Sequence, residues 1–258
     1  MTHGAGMNYR EDLHVFENSE IATDHLLAWW QAKTLAFSQA HRPVSWALSG
    51  GKTPLGFYKK LAQSSSFDWK QLQVFLVDER DVDEDHPDSN YRACYSSGLG
   101  EKLSSSQFPP MRESALDQKL PLSYEAALSK LPESRLDLVL LGMGADGHTA
   151  SLFPGTQEAD KKLETPFSPK DPLVICHELP NQPLSSLSSK WRVTLSYRAF
   201  IEAREVVLLV MGQDKAKRLH EIFHTDSQVP CAKLWKLRKQ LGLATSWYLD
   251  SASASMLE

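Results

Sequence analysis

Five short apolar runs punctuate the chain, and most close on a polar or glycine-rich turn that opens a helical pattern. Val44–Leu48 ("VSWAL") precedes "SGGKTP", after which "LGFYKKLAQ" spaces its apolar residues for a helix. Thr53 is placed as the N-cap and Pro54 as the first helical residue, where a missing N–H costs nothing. Leu72–Val77 ("LQVFLV") precedes "DERDVDEDHPDSN", and "YRACYSS" then reads as a helix capped by Ser89 or Asn90. "LDLVLLG" leads into "GMGADGHTASLFPG". Glu205–Gly212 ("EVVLLVMG") leads into a helix over "QDKAKRLHEIF", and Thr245–Asp250 ("TSWYLD") is the last strand.

Strands that are apolar throughout belong to a sheet covered on both faces, because a one-sided sheet would alternate polar and apolar residues. Long helical patterns over "SEIATDHLLAWWQAKTLAFSQA" and "PLSYEAALSKL" supply crossovers. The expectation is an α/β fold: one doubly wound, mostly parallel sheet flanked by helices, Rossmann-like, in a single domain over 1–258. Ser104–Ser114 and Pro166–Lys190 read as long surface loops, the second around a short strand, "LVICHE". Residues 1–10 and the tail 251–258 are expected to fray.

Composition narrows the class. Apolar residues make up 41% of the 258 and charged residues 23%, the balance of a folded globular chain. A net charge of -4, from 28 basic and 32 acidic residues, gives no general attraction to nucleic acid, so an anionic ligand must be held by local groups. No apolar run is long enough to span a bilayer, and the N-terminus lacks the layout of a secretory signal. Cys94, Cys176 and Cys231 are widely spaced and odd in number, which suits buried thiols in a reducing cytoplasm rather than a disulfide framework. The histidines other than His148 (His41, His86, His177 and His220 among them) are read without a metal-ligand spacing. No metal and no cofactor is expected. Trp29, Trp30, Trp69 and Trp235 are read as packing.

In open parallel sheets, ligands bind beyond the carboxyl ends of the strands. That rule gathers Ser49–Thr53, Asp78–Asn90, Gly142–His148 and Gly212–Lys215 at one edge. Ser49, Gly50, Gly51, Lys52 and Thr53 offer glycines, hydroxyls, a lysine and a helix start, which suit a phosphate but equally a plain turn. Seven carboxylates crowd the next loop. Asp83 to Asp88 read as solvated, whereas Asp78 and Glu79 end a buried strand and need Arg80, a backbone nest or a ligand hydroxyl as partner. Asp146 lies two residues before His148 among Gly142, Gly144 and Gly147. A histidine there can take a proton from water, with the carboxylate orienting its ring, although a lone loop histidine is as often structural. Arg192 in "RVTLS" and Lys215 in "GQDK" add cations.

Taken in this order, "SGGKTP", "VDER", "PDSNYR", "GMGADGHTASLFPG", "RVTLS" and "GQDKA" resemble the loops of the 6-phosphogluconolactonases, a family related in fold to glucosamine-6-phosphate deaminase and isomerase. The match runs from about Val44 to Lys217. The deaminase branch carries an aromatic after Asp-Glu and an Ile-Ala-Phe type run after the histidine. This chain has Arg80 and Thr149–Pro154 there, which favours the lactonase over an amino-sugar-phosphate isomerase or a non-catalytic sugar-phosphate sensor. The resemblance implies hydrolysis of 6-phospho-D-glucono-1,5-lactone in the pentose phosphate pathway. His148 would be general base, Asp146 its support, and Arg80 the oxyanion or ring contact. Ser49–Thr53 with Arg192, ahead of Lys215, would clamp the phosphate. Asp78, Glu79, Ser89, Asn90, Gly142 and Gly144 would complete the site. It implies a small-molecule partner only, with no nucleic acid or membrane, in a monomer or weak homo-oligomer. Near the C-terminus the family often shows a Pro-Ala-Ser-like stretch; "VPCAKLWKLRKQ" stands here, with Cys231 and Ala232 at the small-residue positions.

Overall fold

A computed structural model describes residues 9–112, 121–179 and 189–257. The expectations for residues 1–8, and for parts of the two long loops, lie outside them. Among the described residues, nine strands form two sheets. In the main one, β1 (Leu13–Phe16), β9 (Thr245–Asp250), β8 (Glu205–Val210), β5 (Leu138–Leu141), β2 (Val44–Leu48) and β3 (Leu72–Leu76) lie side by side in that order. Every pairing in it is parallel. β2 and β5 are buried at every position, which explains why they carry no polar face in the sequence.

From β2 the chain first steps outward to β3 and later returns to the other side of β2 as β5. The crevice at that reversal, beyond the carboxyl ends of β2 and β5, is where such sheets bind ligands. Asp137 fixes the opposite end of the same two strands. Its carboxylate accepts from Arg42 at 2.6 and 2.8 Å, from the Ser45 N–H at 2.9 Å and from the Ser45 hydroxyl at 3.0 Å. A buried carboxylate with that many donors holds the β2–β5 register from below.

The helices follow the sequence pattern closely. α1 (Ser19–Ser38) begins where the Asn18 side chain accepts from the Glu20 and Ile21 N–H groups. α2 (Leu55–Gln63), α3 (Asn90–Tyr95), α4 (Leu122–Ser129), α5 (Gln157–Asp160), α6 (Tyr197–Glu202), α7 (Ala216–His224) and α8 (Pro230–Gln240) complete the set. Ser89 caps α3 by accepting from the Arg92 N–H at 3.1 Å. Thr53 does not cap α2: Pro54 precedes the first helical residue and no side chain caps it. The Thr53 hydroxyl is therefore left for another partner. Trp30, Trp46 and Trp247 sit at the centre of the core, and Trp29, Trp69 and Trp235 pack against or within it.

The main departures from the sequence reading lie in the small elements. β4 (Asp78–Arg80), β7 (Trp191–Leu195) and β6 (Val174–Glu178) form a second, antiparallel sheet in the order β4-β7-β6, where the sequence suggested loop at the first two. The tail does not fray either. Ser253 is fully buried, its hydroxyl donating to the Val210 carbonyl at 2.9 Å and its N–H to Asp250 at 2.8 Å. A short polar residue with two such partners anchors the turn that follows β9.

Candidate active site

A cleft of about 200 Å³ opens at the carboxyl ends of β2, β5 and β8. Ser49, Gly50, Gly51 and Thr53 form one wall, Gly142, Gly144 and His148 the facing one, and Asp78, Arg80, Asn90 and Lys215 reach it from the sides. Five other predicted residues stand off the wall. Asp146 acts on it through His148. Lys52, Glu79, Ser89 and Arg192 do not line it.

The His148 loop is folded tightly on itself. The Gly144 N–H donates to the His148 carbonyl and the Gly147 N–H to the Gly144 carbonyl, both at 2.9 Å. Gly147 has φ 87°, and a Cβ on it would collide with Val229 at the start of α8. From behind, the Cys231 N–H donates to the Gly147 carbonyl at 3.2 Å, and its buried thiol reaches the His148 carbonyl at 3.7 Å. The divergent "VPCAKLW" stretch thus supports this loop rather than lining the cleft. Burial, with the Asp146 charge, pushes the Cys231 thiol up, which disfavours the thiolate.

Within the loop, Asp146 Oδ1 lies 2.6 Å from His148 Nδ1 and accepts the His148 N–H at 3.0 Å. Burial would raise this carboxyl, but the bonds from the ring and backbone of His148 outweigh it and hold it at about 2. The ionised carboxylate only accepts, so the ring proton sits on Nδ1 and the Nε2 lone pair is free. Gly144 gives the ring its place: a Cβ there would overlap ring atoms Cε1 and Nδ1. Phe153 packs on the ring at 4.3 Å between centroids.

Asp78 and Glu79, adjacent in sequence, do different work. Glu79, 2% exposed, accepts from the Arg80 and Asn90 N–H groups at 2.8 Å, from Tyr91 N–H at 2.7 Å and from Ser89 Oγ at 3.0 Å. That backbone nest ties β4 to α3, and neither Glu79 nor Ser89, both expected at the ligand, lines the cleft. Burial raises the Glu79 carboxyl even against those bonds. Asp78 faces the cleft, receiving Ser151 Oγ at 2.6 Å and the Asn90 carboxamide at 3.3 Å. Ser151 escaped the sequence reading. Its N–H reaches Thr194 Oγ1 at 3.3 Å and its carbonyl accepts from His177 Nε2 at 2.8 Å, so it locks the loop after His148 onto the antiparallel sheet.

Of the two cations expected at the phosphate, Lys215 lines the cleft and Arg192 does not. Arg192 is 5% exposed and donates to the carbonyls of Ser189 at 2.6 Å and Trp191 at 2.9 Å. Burial and the adjacent Arg80 charge push its guanidinium below its usual value. Lys215 stands on the cleft wall, paired with Asp214 at 2.6 Å. Arg80 lines the cleft while donating to the Asp88 carbonyl. Leu209, Val210 and Met211 at the end of β8 also line it; the strand-end rule begun at Leu209 rather than Gly212 would have found them.

The metal expectation needs correcting in its grounds. His220-Glu221-Ile222-Phe223-His224 does carry the H-E-x-x-H spacing, which sets two imidazoles on one helix face. Here Glu221 pairs with Arg218, His220 Nδ1 bonds the Met256 carbonyl and His224 Nε2 meets Tyr9 Oη at 2.9 Å. Among the described residues, no group of three or more histidine, cysteine or acidic side chains is placed to hold a metal ion.

A crevice at a sheet reversal, with a glycine loop, cations and a carboxylate-supported imidazole, defines an α/β enzyme acting on small anionic molecules. Residues 17–243 match the family model described as glucosamine-6-phosphate isomerases/6-phosphogluconolactonase, and the chain belongs to that family. A 6-phosphogluconolactonase of Synechocystis is 36% identical over 221 residues, 82% of this chain and 83% of that protein. One from Rhizobium meliloti is 30% identical over 208 residues, 81% of this chain and 85% of that protein. Among solved structures, 6-phosphogluconolactonase from Trypanosoma brucei superposes with a TM-score of 0.78 at 28% identity, covering 95% of this chain and 98% of that one.

Proposed function

We propose that the chain hydrolyses 6-phospho-D-glucono-1,5-lactone to 6-phospho-D-gluconate, a step of the pentose phosphate pathway. The observation that carries the reading is the 2.6 Å Asp146–His148 contact, which leaves Nε2 of His148 as a base at the cleft, across from a phosphate-suited loop. Nε2 takes a proton from water as its oxygen bonds to the lactone carbonyl carbon. Arg80 receives the negative charge on the carbonyl oxygen. The tetrahedral intermediate collapses by breaking the bond to the ring oxygen, and the imidazolium returns its proton to that oxygen. A lactone is a reactive ester, so one base and one charge contact suffice. Asp78 and Asn90 on the cleft wall would take ring hydroxyls, and Ser49, Gly50, Gly51 and Thr53 with Lys215 would take the 6-phosphate, whose binding orients the ring.

Among the described residues, no helix is long and apolar enough to cross a membrane. Together with three free cysteines this supports a cytoplasmic enzyme. A coupled assay fed with freshly made lactone, scored against its spontaneous hydrolysis, tests the reading with wild type and His148→Ala. No acceleration by the wild type refutes it. Ammonium release from glucosamine 6-phosphate would point instead to the isomerase and deaminase branch.

A further inference from the structure

Tyr58 on α2 is fully buried, and its hydroxyl donates to the Ser49 carbonyl at 2.6 Å. The buried Cys94 thiol of α3 approaches the same oxygen at 3.8 Å. Both donors come from the core side of the glycine loop. In a planar trans peptide the C=O and the next N–H point in opposite directions. A Ser49 carbonyl drawn into the core therefore turns the Gly50 N–H outward, on the side where Ser49, Gly50 and Gly51 line the cleft. Neither the Gly50 nor the Gly51 N–H has a hydrogen-bond partner among the described residues. The Asn90 carboxamide packs against Gly50 so closely that any Cβ at position 50 would overlap it. That peptide is thus fixed in one orientation, with an unpaired donor facing the cleft.

We propose that Tyr58 is a positioning residue for anion binding: its hydroxyl holds the Ser49–Gly50 peptide so that the Gly50 N–H meets the phosphate of the substrate. The inference rests on the lactonase reading for the identity of the substrate, but not for the presence of the anion site. Without the hydroxyl, the Ser49 carbonyl keeps only a weak thiol donor in the core, and the peptide gains a reason to turn over. Tyr58→Phe tests this directly, because it removes one oxygen and leaves the ring in the core.

Inorganic phosphate is titrated into the wild type and Tyr58→Phe while the Gly50 amide is followed by NMR, and the lactone assay is run beside it. The wild-type amide should move with phosphate, and the variant should need about tenfold more phosphate for the same shift. KM for the phosphorylated lactone should rise by about the same factor with kcat held, and the rate on unphosphorylated glucono-1,5-lactone should not change. Cys94→Ala, which removes the weaker donor, should do much less. A Gly50 amide blind to phosphate in the wild type, or an equal response in both proteins, overturns the proposal. So does an equal loss on both lactones. A wild type that binds phosphate through Gly50 yet hydrolyses neither lactone sinks the lactonase reading and leaves this one standing.

Discussion

An alanine at position 144 puts a methyl group where the His148 ring now lies. Its Cβ would come within 3.0 Å of ring atoms Cε1 and Nδ1, and to 2.7 Å from Asp146 Oδ1. The backbone there is not left-handed, so alanine fits the local conformation and the perturbation is confined to the dyad. Restoring an ordinary contact moves the ring by about 1 Å, a displacement that costs on the order of 100-fold in a positioned reaction. Phe153 at 4.3 Å limits where the ring can go. In the coupled lactone assay, Gly144→Ala should lose about 100-fold in kcat/KM while its Tm stays within a few degrees of wild type. Asp146 supplies a second readout. With the ring displaced, its carboxyl should climb from about 2 toward its ordinary 3.8, as followed by NMR. A depressed carboxyl supports the fold above its unfolded value, and that support fades as pH falls from about 3.8 to about 2. The variant should lack this acid-limb component, which is small because Asp146 is half exposed. Activity within threefold of wild type, with Asp146 unmoved, would refute the claim that Gly144 seats the base.

Other outcomes follow from the same contacts. Asp146→Asn can offer its amide to Nδ1, moving the ring proton to Nε2, and should cut kcat by about 100-fold or more without a loss in Tm. Lys215→Ala should raise KM for the phosphorylated lactone about tenfold, whereas Arg192→Ala should act chiefly on Tm; the opposite pattern would restore Arg192 as the clamp. Glu79→Gln replaces an acceptor of two donors with an amide that donates, and should cost roughly 2–4 kcal/mol in urea unfolding at pH 7. Because burial raises the Glu79 carboxyl, the wild type has an extra stability at acid pH, below the ordinary carboxylate value, that fades as pH rises through the raised one. The gap between wild type and Glu79→Gln should change with pH in that range, and a flat difference would speak against an ionised nest.

What the sequence discloses depends on how burial is distributed. β2, β3, β5, β8 and β9 were legible because each carries a run of apolar residues without a regular polar face. β1 was not, since two of its four residues are exposed. β4 and β7 carry Asp78, Glu79, Arg80 and Arg192, charges that read as loop until Glu79 finds three backbone N–H groups and Arg192 two carbonyls. The site loops were visible as glycines and strand ends, but spacing does not report which cation faces the cleft. Ser151 and Tyr58 were invisible for a related reason: each acts through buried hydrogen bonds that no local spacing or motif announces.

Among the described residues the first strand pairs only with the last, Leu13 beside Trp247 and Phe16 beside Asp250. A ribosome delivers these partners far apart in time, so the nascent chain carries Leu13–Phe16 unpaired until Thr245–Asp250 has emerged. The strands that frame the cleft have no such wait, because β3, β2, β5 and β8 need nothing beyond Val210 to lie side by side. Contacts between distant parts of a chain form slowly, and an unpaired strand edge invites association with other chains. The edge farthest from the chemistry is therefore where a truncated or slowly folding copy would begin to aggregate.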